Sequence, residues 1–387
     1  MSQFRTIVRS GCDQRHLRTR VCATVLVVLL LACLPPQQAD AVSWRWAKPS
    51  LTFAVRHDIV PRSLTTQPGK VMTRTEYVRA LAALDQYRHE TFGTTRAMTS
   101  IQTGASVPDA GPHSIFAKAI RLGWIQPING RFAGSRSITA DEASLGVTGV
   151  IGLSGSVRTL ARRIKHEIPG SGSRLLYRAA QIHARTLGMR YNHLVGREQL
   201  EVGPMEGMRV AHVTYMLRAA AQSSGVVGRF APHRALALPA LGTNQRRILS
   251  TGIRLIGQPY VWGGETEGRQ AEGHGGFDCS GFVWRTVMNS GIPASERVSM
   301  TSRTSMGMSD VPRRKRLGLR RLRPGDVIFF GTHGSDSRPS ENFHTGVWMG
   351  NGWFMHSSGS NDGVTISRME GYWKTTFSWG RRVLTTM

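Results

Sequence analysis

Cysteine is almost missing from this chain. Its 387 residues hold four, at positions 12, 22, 33 and 279, so only Cys279 lies beyond residue 33. One thiol in the body of the chain has no partner there, which excludes a disulfide-stapled scaffold. Cys-x-x-Cys and His-x-x-x-His pairs are also absent, and these are spacings by which zinc sites declare themselves. Acidic residues are scarce, 24 against 50 Lys and Arg, for a formal net charge of +26. That balance favours an anionic partner: nucleic acid, an anionic membrane or an acidic wall polymer. Nucleic acid is set aside, because no such motif occurs and the basic residues are not interleaved with aromatics on one segment. A long apolar run is lacking too. Val21 to Leu34 is uncharged and mostly apolar, but too short to span a bilayer comfortably.

What that run resembles is an export segment. Arg5, Arg9, Arg15, Arg18 and Arg20 precede it, and Ala39-Asp40-Ala41 follows as a small-x-small cleavage site. Residues 1–41 are therefore expected to be a signal peptide, with the remainder secreted and associated with the cell wall. Leu30-Leu31-Ala32-Cys33 also resembles a bacterial lipobox, in which Cys33 would be lipidated. Contact with a membrane is expected only through such a lipidated or uncleaved N-terminus.

From residue 70 a repeat emerges. Thr73-Arg74-Thr75-Glu76 and Thr139-Ala140-Asp141-Glu142 each place an acid three residues after a threonine, the capping-box signature of a helix start. Met208-Arg209-Val210-Ala211 opens a third copy that lacks both. The openings fall 66 and then 69 residues apart, and helical apolar spacing follows each: Tyr77, Val78, Leu81, Leu84 in the first. Gly123-Trp124-Ile125, Gly130-Arg131-Phe132 and Ile138 to Glu142 resemble S-layer homology repeats. That resemblance implies docking on anionic wall polymers for residues 42–225, with Arg74 at the family's arginine position. A plain helical spacer with the same capping chemistry is the competing reading.

Residues 226–243, with Pro232, Pro239 and Gly242, read as a packed linker, and a new domain opens near Asn244. In Phe277-Asp278-Cys279-Ser280-Gly281-Phe282 the thiol sits at the foot of a helix marked by Phe282, Val283, Val287 and Met288. Unpaired N–H groups and the helix dipole there favour thiolate, the reactive form. Leu322-Arg323-Pro324-Gly325-Asp326 is a turn into a strand, Val327 to Phe330. Two further strands, His344 to Met349 and Trp353 to His356, are joined by Gly350-Asn351-Gly352, a hairpin signal. The hairpin can bring His344 and His356 to one end of the sheet.

Cysteine, a histidine to move its proton and a polar group to orient that histidine make the set a cysteine peptidase needs. Cys279 is the candidate nucleophile, His344 the base and His356 the orienting group. Tyr260, Asp278 and Ser280 are assigned to the oxyanion and substrate groups. Tyr260-Val261-Trp262-Gly263-Gly264, Phe277 to Gly281, Pro324-Gly325-Asp326, His344-Thr345-Gly346-Val347 and Met355-His356, in that order, resemble the NlpC-type cell-wall cysteine peptidases. Zinc held by Cys279, His333, His344 and His356 is the lesser alternative. Trp262, Trp284, Trp348 and Trp353 are expected in the core, and His274 and His333 in solvated loops. The densest basic run, Arg313-Arg314-Lys315-Arg316, is a solvated loop or a contact for wall polymer through Arg313, Arg314 and Arg316.

The resemblance implies an α+β, papain-like hydrolase over residues 244–387, an antiparallel sheet with packed helices, preceded by a mainly α-helical repeat domain. It implies hydrolysis of a peptidoglycan stem-peptide amide, between D-glutamate and a diamino acid, through an acyl-enzyme and without metal or cofactor. Two other classes stay open: a wall-binding protein whose hydrolase domain is inactive or held inactive, and a cysteine amidase or acyltransferase acting on another amide.

Overall fold

Two threonines start the principal helices of the first half. The computed structural model describes residues 44–270 and 274–385; the export segment and Cys33 lie outside the described residues. Helix α1 (Lys48–Arg56) leads to α2 (Arg74–Phe92), α3 (Ile115–Arg121) and α4 (Ala140–Val150). Helices α5 (Ser154–Glu167), α6 (Leu175–Thr186) and α7 (Val210–Ala221) complete this half. Thr73 accepts from the Glu76 N–H at 3.2 Å and Glu76 accepts from the Thr73 N–H at 2.8 Å. Thr139 and Glu142 repeat the exchange at 3.3 and 3.0 Å. The third copy has no side-chain cap at Arg209.

What makes three copies one body is a ring of backbone hydrogen bonds. The Met72 N–H donates to the Met208 carbonyl (2.9 Å), Met208 to Ile138 (2.8 Å) and Ile138 back to Met72 (2.9 Å). All three side chains are buried, so each copy covers an apolar face the others cannot cover alone. The third copy keeps its place through this ring although its cap is gone.

Arg74 lies beside the ring and corrects the docking expectation. It is fully buried. Its guanidinium pairs with Glu142 and donates to the Phe132 and Gln126 carbonyls, each at 2.8 Å. No wall polymer reaches it.

The second half is an antiparallel sheet with both faces covered. A small ladder, β1 (Glu265–Thr266) and β2 (Gly276–Phe277), precedes a six-stranded sheet. Its strands are β3 (Arg316–Leu317), β4 (Val327–Gly331), β5 (Asn342–Gly350), β6 (Trp353–Ser358), β7 (Gly363–Arg368) and β8 (Phe377–Arg381), in the order β3-β8-β4-β5-β6-β7. Val327 and Phe329 point into the core beneath α8 (Thr243–Arg254) and α9 (Cys279–Met288). Ile328 and Phe330 point to the other face, under α10 (Gly371–Thr376) with Trp373. That two-sided burial is why β4 reads as a continuous apolar run. Among the described residues no helix is long and apolar enough to cross a membrane.

Both halves belong to one compact unit, residues 47–387. Residues 226–243 run between them as a strap: Phe230 and Leu236 are buried, the His233 ring meets Trp353 at 5.2 Å, and Asn351 donates to the Ala237 carbonyl at 3.2 Å. Removing one partner of a buried ion pair strands the other charge, at a cost of roughly 3–5 kcal/mol. Arg74→Ala is therefore expected to lose stability of that order in denaturant titration. A variant as stable as the parent but weaker in binding to cell walls would restore the docking role.

Candidate active site

Cys279 is the first residue of α9, and its neighbours build the helix start. Asp278 is the N-cap: its carboxylate accepts from the Gly281 N–H at 2.5 Å and from the Ser280 hydroxyl at 2.9 Å. Gly281 is dictated by contact, since a Cβ there would stand 2.0 Å from the Gly264 carbonyl oxygen. Arg303 ties the corner together. It donates to Ser280 Oγ (3.0 Å) and to the Gly263 and Gly264 carbonyls (3.2 and 3.0 Å), and pairs with Glu265 (2.6 Å).

These bonds correct two assignments. Asp278 offers an anionic acceptor to its own helix, which would repel an oxyanion, and the buried Ser280 hydroxyl donates to that carboxylate. The Ser280 hydroxyl and Asp278 Oδ1 are thus engaged in holding the start of α9. The Asp278 cap was legible in the sequence, as an aspartate directly before a helical apolar run.

The hairpin brings the histidines together as expected. His344 Nε2 lies 2.8 Å from His356 Nδ1, and His356 Nε2 lies 2.9 Å from Ser367 Oγ on β7. Gly346 makes the room: a Cβ there would stand 2.8 Å from the Met355 carbonyl oxygen and 3.3 Å from the His356 Cβ. Trp373 packs against both rings, 5.0 Å from His344 and 4.8 Å from His356. Ser367 and Trp373 escaped the sequence reading, because a serine in a strand and a tryptophan in a short helix carry no local mark of a site.

The order of donors along this chain of atoms decides what His344 can do. With the His356 Nε2 proton on Ser367, His356 Nδ1 accepts from the His344 Nε2–H, and His344 keeps a lone pair on Nδ1. In the reverse order that Nδ1 carries a proton and cannot act as a base. Burial holds both rings neutral, pushing His344 down to about 3 and His356 well below its ordinary value.

Burial acts on the thiol as well. Cys279 retains partial exposure, yet desolvation, with the Asp278 charge second, pushes it up to about 12. The N–H groups of Thr345, Ser280 and Cys279 act in the opposite direction and do not prevail. The expected helix-start thiolate thus gives way to a neutral thiol, with His344 neutral as well. Tyr260 belongs to the same corner: its phenol is raised by burial and then by Cys279 and Asp278. A cleft of about 470 Å³ opens beside His344, lined by Phe343, Ser358, Ser360, Asn361, Tyr372 and Trp373.

The remaining expectations divide. His333 is exposed with Glu341 3.5 Å from its Nδ1, away from the paired histidines. Among the described residues no group of three or more His, Cys, Asp or Glu is placed to hold a metal ion. His274 is not a solvated loop residue, for its Nε2 meets Glu206 of the helical half at 2.8 Å. Trp348 and Trp353 are core and Trp284 is half-buried, but Trp262 is 61 % exposed. Arg313 and Arg314 are exposed, whereas Arg316 lies over Trp379 at 3.9 Å on the edge strand and is less available than expected.

A raised thiol keeps its proton through neutral pH and yields thiolate only as pH climbs toward about 12. Alkylation of Cys279, followed by mass between about pH 6 and 10, is expected to be slower in the folded than in the unfolded chain throughout, with an apparent pKa above the ordinary ~8.5. A plateau already present below about pH 7 would show a thiolate–imidazolium pair instead.

Residues 257–382 match the family model described as NlpC/P60 family. The peptidoglycan DL-endopeptidase CwlO of Bacillus licheniformis is 30% identical over 132 residues, 34% of this chain and 26% of its own. The probable peptidoglycan endopeptidase LytE of Bacillus subtilis is 33% identical over 140 residues, 36% of this chain and 34% of its own. The murein DD-endopeptidase MepS/murein LD-carboxypeptidase of Escherichia coli is 36% identical over 140 residues, 36% of this chain and 62% of its own. The chain thus spans less than two thirds of the length of these relatives. A solved NlpC/P60 family protein from Bacillus cereus aligns over 38% of this chain at 25% identity with a TM-score of 0.30. Residues 257–382 are an NlpC/P60 domain.

Proposed function

We propose that this chain hydrolyses an amide bond in the peptidoglycan stem peptide, between D-glutamate and the diamino acid, through an acyl-enzyme on Cys279. The observation that carries this reading is the relay of His344, His356 and Ser367 at a cleft, with the helix-start thiol of Cys279 met by the N–H of Thr345, the residue next to His344. Relatives named as peptidoglycan endopeptidases supply the substrate class.

In the free site the thiol is protonated and His344 is neutral. As substrate enters, His344 Nδ1 takes the thiol proton while sulfur attacks the carbonyl carbon. The tetrahedral oxyanion is met by the Cys279 N–H and the Tyr260 hydroxyl, whose raised pKa keeps it a donor. Collapse breaks the C–N bond, and the proton on His344 passes to the leaving amine. Water, deprotonated by His344, then cleaves the thioester to release the carboxylic acid and restore the thiol. His356 holds the ring, and Ser367 fixes the direction of the relay. No step calls on a metal or cofactor.

The helical half is proposed to hold the enzyme on the wall. Its three-copy ring makes it one body that can present a continuous surface. The cations an anionic polymer would meet are the exposed Arg158, Arg162, Arg163 and Lys165 of α5, with Arg313 and Arg314 beyond, and not Arg74.

Purified chain incubated with peptidoglycan is expected to release fragments whose masses place the cut at the D-glutamyl bond, and Cys279→Ala to release none. Intact walls with the parent chain, or cleavage surviving in the variant, would overturn the reading. Because the lowered pKa of His344 leaves it in the base form above about 3, kcat/KM is expected to stay flat on the acid side down to about pH 5. An acid limb near the ordinary imidazole value of about 6.5 would show a solvated base. Ser367→Ala removes the acceptor that orients His356 and is expected to lower kcat by about 10- to 100-fold with little change in KM.

A further inference from the structure

The turn that lines the cleft is held in place from outside the hydrolase domain. Arg185, near the end of α6, is almost wholly buried and reaches into the other half. It donates to the Gly257 carbonyl (2.7 Å) and the Asn361 carbonyl (3.3 Å), and pairs with the Asp362 carboxylate at 3.1 Å. Asn361 returns a bond to the Arg185 carbonyl at 3.4 Å. Arg190 approaches the same carboxylate oxygen at 3.3 Å while donating to the Val202 carbonyl. Glu201 completes the cluster from the helical side, where burial and then the Asp362 charge push its pKa well up and its carboxylate accepts from the His193 N–H at 2.6 Å.

The carboxylate so held sits at a strained place. Asp362 has a φ of +50°, which non-glycine residues adopt at a cost, and Gly363 packs so closely that a Cβ would stand 2.0 Å from the Gln258 carbonyl oxygen. Asp362 ends the turn Gly359–Asn361, whose Ser360 and Asn361 line the cleft beside His344. Gly257, the other acceptor, stands three residues before Tyr260. One guanidinium therefore fixes both the cleft turn and the backbone leading to the tyrosine. Asn192 of the helical half adds to this wall: it and the Tyr260 ring lie 3.5 and 3.8 Å from the point where a Gly359 Cβ would stand.

We propose that Arg185 and Arg190 of the helical half are positioning residues for the hydrolase, clamping Asp362 so that the Gly359–Asn361 turn forms the substrate-facing wall of the cleft. The helical half then takes part in substrate selection as well as in docking. Arg185 suits the task because its planar fork donates to two carbonyls while its charge faces the Asp362 carboxylate, a geometry an ammonium does not match. This inference rests on the hydrolase reading for its kinetic consequence only.

The test uses the full chain carrying Arg185→Met, Arg185→Lys or Asp362→Gly. Glycine accepts a positive φ without strain, so Asp362→Gly deletes the carboxylate while favouring the turn. Without substrate, amide exchange at residues 359–362 is expected to quicken about tenfold or more in Arg185→Met and Asp362→Gly, with α9 unchanged. With a defined stem peptide, KM is expected to rise about tenfold in both while kcat and the alkylation rate of Cys279 hold, and Arg185→Lys to fall between. Unchanged exchange at the turn, or unchanged KM with only a lower Tm, would overturn the proposal. A parent chain that cleaves no stem peptide would instead defeat the hydrolase reading, leaving exchange to decide the clamp.

Discussion

Two imidazoles 2.8 Å apart in a dry place cannot both carry charge, and burial holds both rings neutral in the free site. Two charges there would repel, with no water to screen them. Much of the second half follows from that constraint. The β5–β6 hairpin must hold a register that sets His344 diagonally across from His356, with a glycine at 346 to admit the second ring. Trp373 must seal the rings from solvent, and β7 must carry an acceptor at 367 to fix which way the protons point. Burial leaves the Cys279 thiol neutral too, so in the proposed reaction charge appears only as the proton moves. The site stores no ion pair and therefore needs no cation beside the sulfur.

The parts of this arrangement visible in the sequence are those with a short-range signature. Thr73 with Glu76 and Thr139 with Glu142 announce two helices, Asn351-Gly352 announces the hairpin, and a thiol before a helical apolar run announces Cys279. Three things stayed hidden, each for a non-local reason. Ser367 is defined by the β6–β7 register, in which His356 faces Thr365 and its outer nitrogen reaches two residues further. Arg303 lies in an irregular segment, and its acceptors come from the Gly263-Gly264 loop and from Ser280. The thiolate expectation weighed the helix start, a local term, without the desolvation that only the assembled fold imposes. Asp278 differs, for its cap signature is local and the structure shows it capping α9.

The charge balance misleads in a similar way. A net charge of +26 suggests a surface crowded with free cations, yet several arginines are turned inward to backbone carbonyls. Arg88 donates to the Ala220 and Ser223 carbonyls at the end of α7, at 2.6 and 2.5 Å. Arg74 takes the Phe132 and Gln126 carbonyls, Arg303 those of Gly263 and Gly264, and Arg185 those of Gly257 and Asn361. Burying an arginine requires that its donors be met, and carbonyls at helix ends and tight turns are acceptors the backbone leaves over. In a chain poor in acids the guanidinium thus does what a carboxylate does at a helix start: it terminates backbone segments and joins them.

That use of arginine explains why the two halves do not separate at the sequence boundary. Residues 226–243 read as a packed linker between two domains, and the acceptors left open by the hydrolase half at Gly257 and Asn361 are met from α6. Removing the helical half would expose those carbonyls and leave Asp362 without either guanidinium, in a conformation that already carries strain. The boundary of the family match at residue 257 therefore marks where the shared chemistry begins and not where the functional unit does. Cys279, His344 and His356 lie within that match, while the turn lining the cleft is bonded from Arg185 outside it.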